Sequence, residues 1–201
     1  MNYWTIAIWI YLVVAVLSYV PILWAQFFWV KLKHGGDSFD KSTNFSPENI
    51  EILKQHYSRI MGTLVFWKNE AAWYKRFHYY TLVWSLPVSI LIPIIAQSIS
   101  SEPGSKLFLT IISSHIAVIV GFHRALKVES NFRAFRNGES EFYDVYRRLL
   151  DRPLAFGANE KLQIENYFKE VERIRKTVRN AETDNFPLIE DAKSSSKSTQ
   201  S

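Results

Sequence analysis

FHYYTLVWSLPVSILIPIIAQSISSEPGSKLFLTIISSHIAVIVGFH, residues 77–123, decides the fold. Residues 77–101 contain no Asp, Glu, Lys or Arg, and neither do residues 107–123. A bilayer core asks for about 20 mostly apolar residues per helix, with a range of roughly 17–25. Between the two runs lies EPGSK, whose Pro103-Gly104 is a turn signal. Two spanning-length runs joined by a short turn predict a transmembrane helical hairpin. The shorter run predicts that Lys106 and Arg124 reach back to the two interfaces.

Outward from the hairpin, residues 4–30 form a third charge-free run, WTIAIWIYLVVAVLSYVPILWAQFFWV. A secretory signal has a basic start, a short apolar run and a small-residue cleavage site. This run is long and is bounded by Trp4 and Trp9 at one end and Trp24 and Trp29 at the other, then Lys31 and Lys33. Aromatic residues at both ends mark two headgroup levels. Residues 3–31 are therefore expected to be a retained transmembrane helix, with a kink at Pro21. The mean hydropathy of −0.07 resembles that of a soluble protein only because the apolar residues are clustered.

The basic residues give a topology. With the amino terminus outside, 23 of the 24 Lys and Arg fall inside and only Lys106 falls outside. Lys31, Lys33, Lys75, Arg76, Arg124 and Lys127 then sit at inner span ends, facing anionic lipid. The net charge of +5 is read as this juxtamembrane feature, and no nucleic-acid partner is expected.

The regions between and after the spans read as helices. Residues 34–46 are expected to be a cytoplasmic loop, ended by Ser46 as N-cap and Pro47 at the first helical position. Leu53, Tyr57, Ile60, Leu64 and Trp67 continue to Ala71 and Tyr74 in alternating steps of 4 and 3, a heptad seam. It is expected to contribute to an oligomer, although such a seam can equally be filled within one chain. No breaker separates it from the second span, so one helix is expected from about 47 to 98. The third span is likewise expected to run inward unbroken, with Phe132, Phe135, Phe142, Val145 or Tyr146 and Leu149 on its apolar side. Gly138 is a weak point in it, since Gly costs about 1 kcal/mol relative to Ala in a helix. Pro153 and Gly157 end it. A last helix, about 158–181, carries Ile164, Phe168, Val171, Arg175 and Val178 in a mixed stripe, with Leu162, Tyr167 and Ile174 nearby. Residues 184–201 read as a polar, disordered tail.

The expected whole is an all-α integral membrane protein, with three transmembrane helices and long cytoplasmic extensions forming a bundle. Its parts are an amino-terminal span (1–33), a loop (34–46), the hairpin with its extensions (47–153), a closing helix (154–183) and the tail (184–201).

Two faces of the hairpin carry polarity. Thr81, Ser85, Ser89, Pro93 and Gln97 recur every four residues on the second span. Thr110, Ser114, Ala117 and Gly121 share a face of the third. Such faces fit two roles: lining an aqueous path in an oligomer, or close packing, since small and hydroxyl residues let membrane helices approach. The first role is assigned to Thr81, Ser85, Ser89 and Gln97, the second to the third-span face. His115 is the one ionisable group near mid-span. It is a functional candidate by position, or a neutral ring hydrogen-bonded to a serine or a carbonyl.

Reactive chemistry is not apparent. The chain has no cysteine, so no thiolate nucleophile or zinc–thiolate site can form. Gly35-Gly36 follows no strand, there is no HExxH, and the five histidines share no metal-ligand spacing. Glu129, Glu139 and Glu141 lie among arginines on a charged helix. No catalytic role and no cofactor are expected.

Three segments resemble a known family. KNEAAWYKRFHYYTLVWSLPVSILIPIIAQ (68–97) looks like the approach to the membrane hairpin of SLATT-domain proteins. FRAFRNGESEFYDVYRRLLDRP (132–153) is similar to the stretch after that hairpin, and IENYFKEVERIRKTVRNAET (164–183) to the closing helix. The resemblance covers about residues 46–185, and the first span departs from the family's two-span pattern. It implies a bacterial inner-membrane effector of an anti-phage conflict system. Such an effector acts beside a nucleotide second messenger or a sensor protein, oligomerises, and permeabilises the membrane. The competing expectation is a non-conducting scaffold that recruits a cytosolic partner through its helices.

Overall fold

The computed structural model describes residues 2–27, 38–97 and 103–185. The described residues are predominantly helical and contain no strand. Five helices follow in order: α1 (Tyr3–Phe27), α2 (Pro47–Gln97), α3 (Pro103–Ala125), α4 (Val128–Asp151) and α5 (Glu160–Asp184). Three of them, α1, α2 and α3, contain stretches long and apolar enough to cross a membrane. Lys31, Lys33, most of the 34–46 segment's start and the tail beyond residue 185 lie outside the described residues.

The chain divides into two units. An apolar unit holds residues 2–27, 73–97 and 103–129; an amphipathic unit holds 38–72 and 130–185. α2 contributes its second half to the first unit and its first half to the second.

In the apolar unit, α1 runs antiparallel to the second half of α2. Ser18 accepts from Trp84, Tyr19 meets Tyr80, and the Pro21 carbonyl accepts a hydrogen bond from Arg76 at 3.0 Å, so partners fall in number as α1 rises. α1 runs parallel to α3, and its start sits on the start of that helix. A Cβ on Gly104 would lie 2.8 Å from the Trp4 Cβ, so glycine is what permits this approach. Ile22, Phe77, Tyr80, Ile119 and Val128 form the core of the unit.

α3 does not continue unbroken, as expected, into α4. It ends at Ala125, and Lys127 takes φ 42°, a left-handed conformation rare for a residue with a side chain. Leu126 and Lys127 donate their N–H groups to Phe122 and Arg124, closing the helix end.

In the amphipathic unit the heptad seam is filled by the chain itself. Leu53 and Leu64 are fully buried, Ile60 and Trp67 nearly so, and Tyr57 is half-buried. Tyr57 packs on Phe142 and Tyr146, and Phe66 on Phe135. The expectation that Leu53, Tyr57, Ile60, Leu64 and Trp67 join subunits is corrected to that extent. Their apolar surface is spent on α4 and α5, each large side chain gaining about 1.5–3 kcal/mol by burial. Gly138 is also no weak point. A Cβ there would collide with Val178 and crowd Trp67, so α4 needs glycine where α2 and α5 converge on it. The α5 stripe is shifted from its expected course. Tyr167 and Ile174 are buried beside Ile164, Val171 and Val178, while Arg175 is exposed.

The segment expected as plain loop supplies core. Phe39 is 2% exposed, in a 3-10 turn (Phe39–Lys41), with its ring against Tyr57, Tyr146 and Tyr167. The starts of α2 and α5 are clamped together. One Glu160 carboxylate oxygen accepts from the Ser46 N–H and hydroxyl, both at 2.9 Å, and from Asn49 at 2.5 Å. Asn159 caps α5 by accepting from the Leu162 N–H.

Candidate membrane site

A helix turns 100° per residue, so positions four apart drift by about 40° at each step. The α2 stripe shows that drift. Thr81 is buried and donates to the Phe77 carbonyl at 3.0 Å. Ser85 is half-buried, and its carbonyl accepts from the Ser89 hydroxyl at 2.6 Å. Ser89, Pro93 and Gln97 are exposed. The stripe therefore passes from the interior of the unit to its outer surface.

The α3 face lies wholly outside. Thr110, Ser114, Ala117 and Gly121 are all exposed, and nothing comes within 4 Å of a Cβ placed on Gly121. The buried positions are Ser105, Ile112 and Ile119, seven apart. This corrects the expectation that this face packs the hairpin: Ser105, Ile112 and Ile119 take the buried positions, and Thr110, Ser114, Ala117 and Gly121 are left uncovered. Thr110 turns its hydroxyl back to the Lys106 carbonyl.

His115 sits at a junction of all three helices. Its Nδ1 is 2.6 Å from the Tyr11 hydroxyl of α1, and its Nε2 is 3.3 Å from the Tyr80 hydroxyl of α2. Trp84 packs edge-on against both Tyr11 and His115 and donates its indole N–H to Ser18. A neutral imidazole offers one donor and one acceptor, so one tyrosine donates to it and the other accepts. The partners are these tyrosines, not the serine or carbonyl expected. The sequence signal for Tyr11 was a hydroxyl in the middle of an apolar run.

A second pair joins the second half of α2 to the end of α3. His78 Nδ1 and His123 Nε2 are 2.9 Å apart. Two ring nitrogens at that distance share a single proton, so one is the N–H and the other the lone pair. Of the basic residues expected at the interface, Lys75, Arg76 and Arg124 are exposed, while Lys127 forms the break after α3.

Among the described residues no three His, Asp or Glu come together in a way that could hold a metal. The arrangement offers a mid-helix polar junction and two outward, weakly polar faces. Comparison with protein-family models, with curated proteins and with solved structures finds no match.

Proposed function

We propose that the chain is a membrane effector of a bacterial anti-phage conflict system. Copies assemble in the inner membrane, with the amino terminus outside and the carboxy terminus in the cytoplasm, and form a pore or disrupt the bilayer, arresting the cell. The defence context and a trigger by a nucleotide messenger or a sensor protein come from the SLATT resemblance; the orientation rests on the basic asymmetry.

One observation carries the assembly step. The hydroxyl and small residues of two apolar helices, Ser89 and Gln97 on α2 and Thr110, Ser114, Ala117 and Gly121 on α3, are left uncovered by the chain's own helices. Small residues on apolar helices are what neighbouring helices approach in a bilayer, and three helices alone enclose no aqueous path. Several copies meeting along these faces would.

The test is leakage from dye-loaded vesicles containing the full chain, with oligomer mass read in parallel. The expected result is leakage that falls when Ser85→Leu and Ser89→Leu are combined, with the mass unchanged. An assembled oligomer that leaks equally with the leucine pair would remove α2 as the lining.

One observation favours the scaffold reading. Thr81, Ser89 and Thr110 each spend their hydroxyl on their own helix backbone, which suits dry packing as well as a wet wall. An assembled chain that never leaks would support the scaffold.

A further inference from the structure

Between the first half of α2 and α5, within the amphipathic unit, lies an open groove of about 320 Å³. That is the lower end of the size range of small-molecule sites. Its α2 wall is Thr63 with two aromatic rings, Phe66 and Trp67. Phe66 remains 37% exposed while Leu64 and Trp67 beside it are buried.

The α5 wall carries Arg175 and Arg179, one turn apart and so on one face. They behave differently from other arginines of the unit. Arg136, Arg147 and Arg173 each bind a carboxylate three positions away on their own helix. Glu172 and Glu182 stand at that same spacing from Arg175 and Arg179 and line the same groove, yet neither arginine is ion-paired among the described residues. The positive charge is also felt next door. Burial, with Arg59 and Arg175 adding to it, holds the His56 imidazole in its neutral form.

Both ends of the α5 wall are acidic, with Glu172 before Arg175 and Glu182 after Arg179. Burial, and then the charge of Glu182, hold the Glu70 carboxyl above its ordinary range. Along α5 the groove thus offers two cations with a carboxylate on either side of them, and the α2 rings form its other wall. Along α5 the distance from Arg175 to Glu182 is roughly 10 Å at the helical rise.

We propose that this groove binds a phosphate monoester of a flat, N–H-bearing heterocycle, the chemistry of a nucleoside monophosphate. Arg175 and Arg179 take the phosphate, the exposed Phe66 the face of the ring, and Glu182 its N–H edge. Arginine pairs suit phosphate because the planar fork donates two parallel bonds. Glu172 on the same wall sets a limit, since further phosphates would bring more negative charge against it. The site lies inside one unit, and its test does not require that the membrane leak.

The experiment is equilibrium dialysis of the full chain in nanodiscs against labelled GMP and AMP, with guanosine and inorganic phosphate as the two half-ligands. The expected result is saturable binding of a monophosphate, with each half-ligand at least roughly tenfold weaker. Arg175→Ala and Arg179→Ala should each weaken binding by roughly tenfold or more, as loss of a charge-assisted bond does. Both residues are exposed, so the helical signal should stay unchanged. Arg173→Ala, two residues from Arg175 and ion-paired with Glu170, should bind as the native chain does. Absence of saturation by either monophosphate below about 10 mM, undiminished binding by the Arg175/Arg179 double variant, or inorganic phosphate binding as tightly as GMP would each overturn the proposal.

Discussion

The two units use similar apolar residues in opposite ways. In the amphipathic unit Leu53, Leu64 and Leu149 are 0% exposed; in the apolar unit Leu17, Val83 and Ile90 are 63–67% exposed. The first set faces protein. The second has no protein to face within the chain. Contiguous exposed apolar surface on that scale is not what a water-soluble surface carries, and it lies on helices that satisfy their own backbone hydrogen bonds, as spanning helices must. The contrast locates where stability resides: packing in one unit, and the choice of surrounding medium in the other.

The strongest way to break that contrast is to put charge on the seam. Ile60→Asp with Leu64→Asp would bury unpaired carboxylates, at a cost of several kcal/mol. The amphipathic unit should lose its cooperative melt by circular dichroism. An unchanged melt would mean the seam is not core.

Truncation sharpens it. Leu64→Ala should cost about 2–5 kcal/mol, the range for a buried leucine. Leu86→Ala, whose side chain is 63% exposed, should stay within about 0.5 kcal/mol in detergent. Equal losses in matched denaturation curves would erase the distinction between the units.

The sequence carried the periodic features well because their cause is local. The start of α2 is legible in Ser46-Pro47, since capping and a fixed proline φ act within one turn. The seam is legible because a 3-4 spacing makes one face. What spacing does not encode is which way a face turns relative to its neighbours. That is why spacing shows Thr110, Ser114, Ala117 and Gly121 as one face and does not show that the chain's own helices leave it uncovered. The break at Lys127 has no glycine or proline to announce it. Phe39 becomes core only because helices distant in sequence leave a gap for its ring, and Gly138, unfavourable by propensity, is required by Val178 and Trp67. The partners of His115 come from α1 and α2, 104 and 35 residues away, a distance local patterns do not reach.

That junction gives the third prediction. His115→Phe keeps a ring of similar shape and leaves Tyr11 and Tyr80 without their shared partner. Interhelical polar contacts in membrane proteins contribute around 0.6 kcal/mol on average, so the loss should be about 0.5–1.5 kcal/mol. Cysteines introduced at positions 4 and 108, whose native rings lie 5.9 Å apart, report on whether α1 stays docked; the chain has no native cysteine to interfere. Faster crosslinking loss in His115→Phe is expected. Identical crosslinking and stability would make the junction incidental to α1 docking.

The smallest effect is read in pH, and it separates two groups of the amphipathic unit by window. Burial first, then Arg59 and Arg175, push His56 from 6.5 down to about 4. Its stacking on Phe168 at 4.0 Å suits the neutral ring. A base with a depressed folded pKa contributes fully above 6.5, where both states are neutral. Its contribution falls between 6.5 and about 4, where only the unfolded chain binds the proton, and changes no further below that. Glu160 is held below its usual 4.5, chiefly by the Ser46 backbone N–H and then by Asn49 and the Ser46 hydroxyl. An acid with a depressed folded pKa stabilises above its unfolded value and loses that contribution as pH falls below about 4.5. Both groups are open enough to water that screening trims the slopes. His56→Gln should therefore flatten the melting-temperature decline between pH 6.5 and 4 and leave the decline below it intact. Glu160→Gln should lower the melting temperature at pH 7 and draw closer to the native chain as pH falls below about 4.5. A native slope retained by His56→Gln across the upper window would show that its ring protonates freely in the folded unit, and that Arg59 and Arg175 do not press on it.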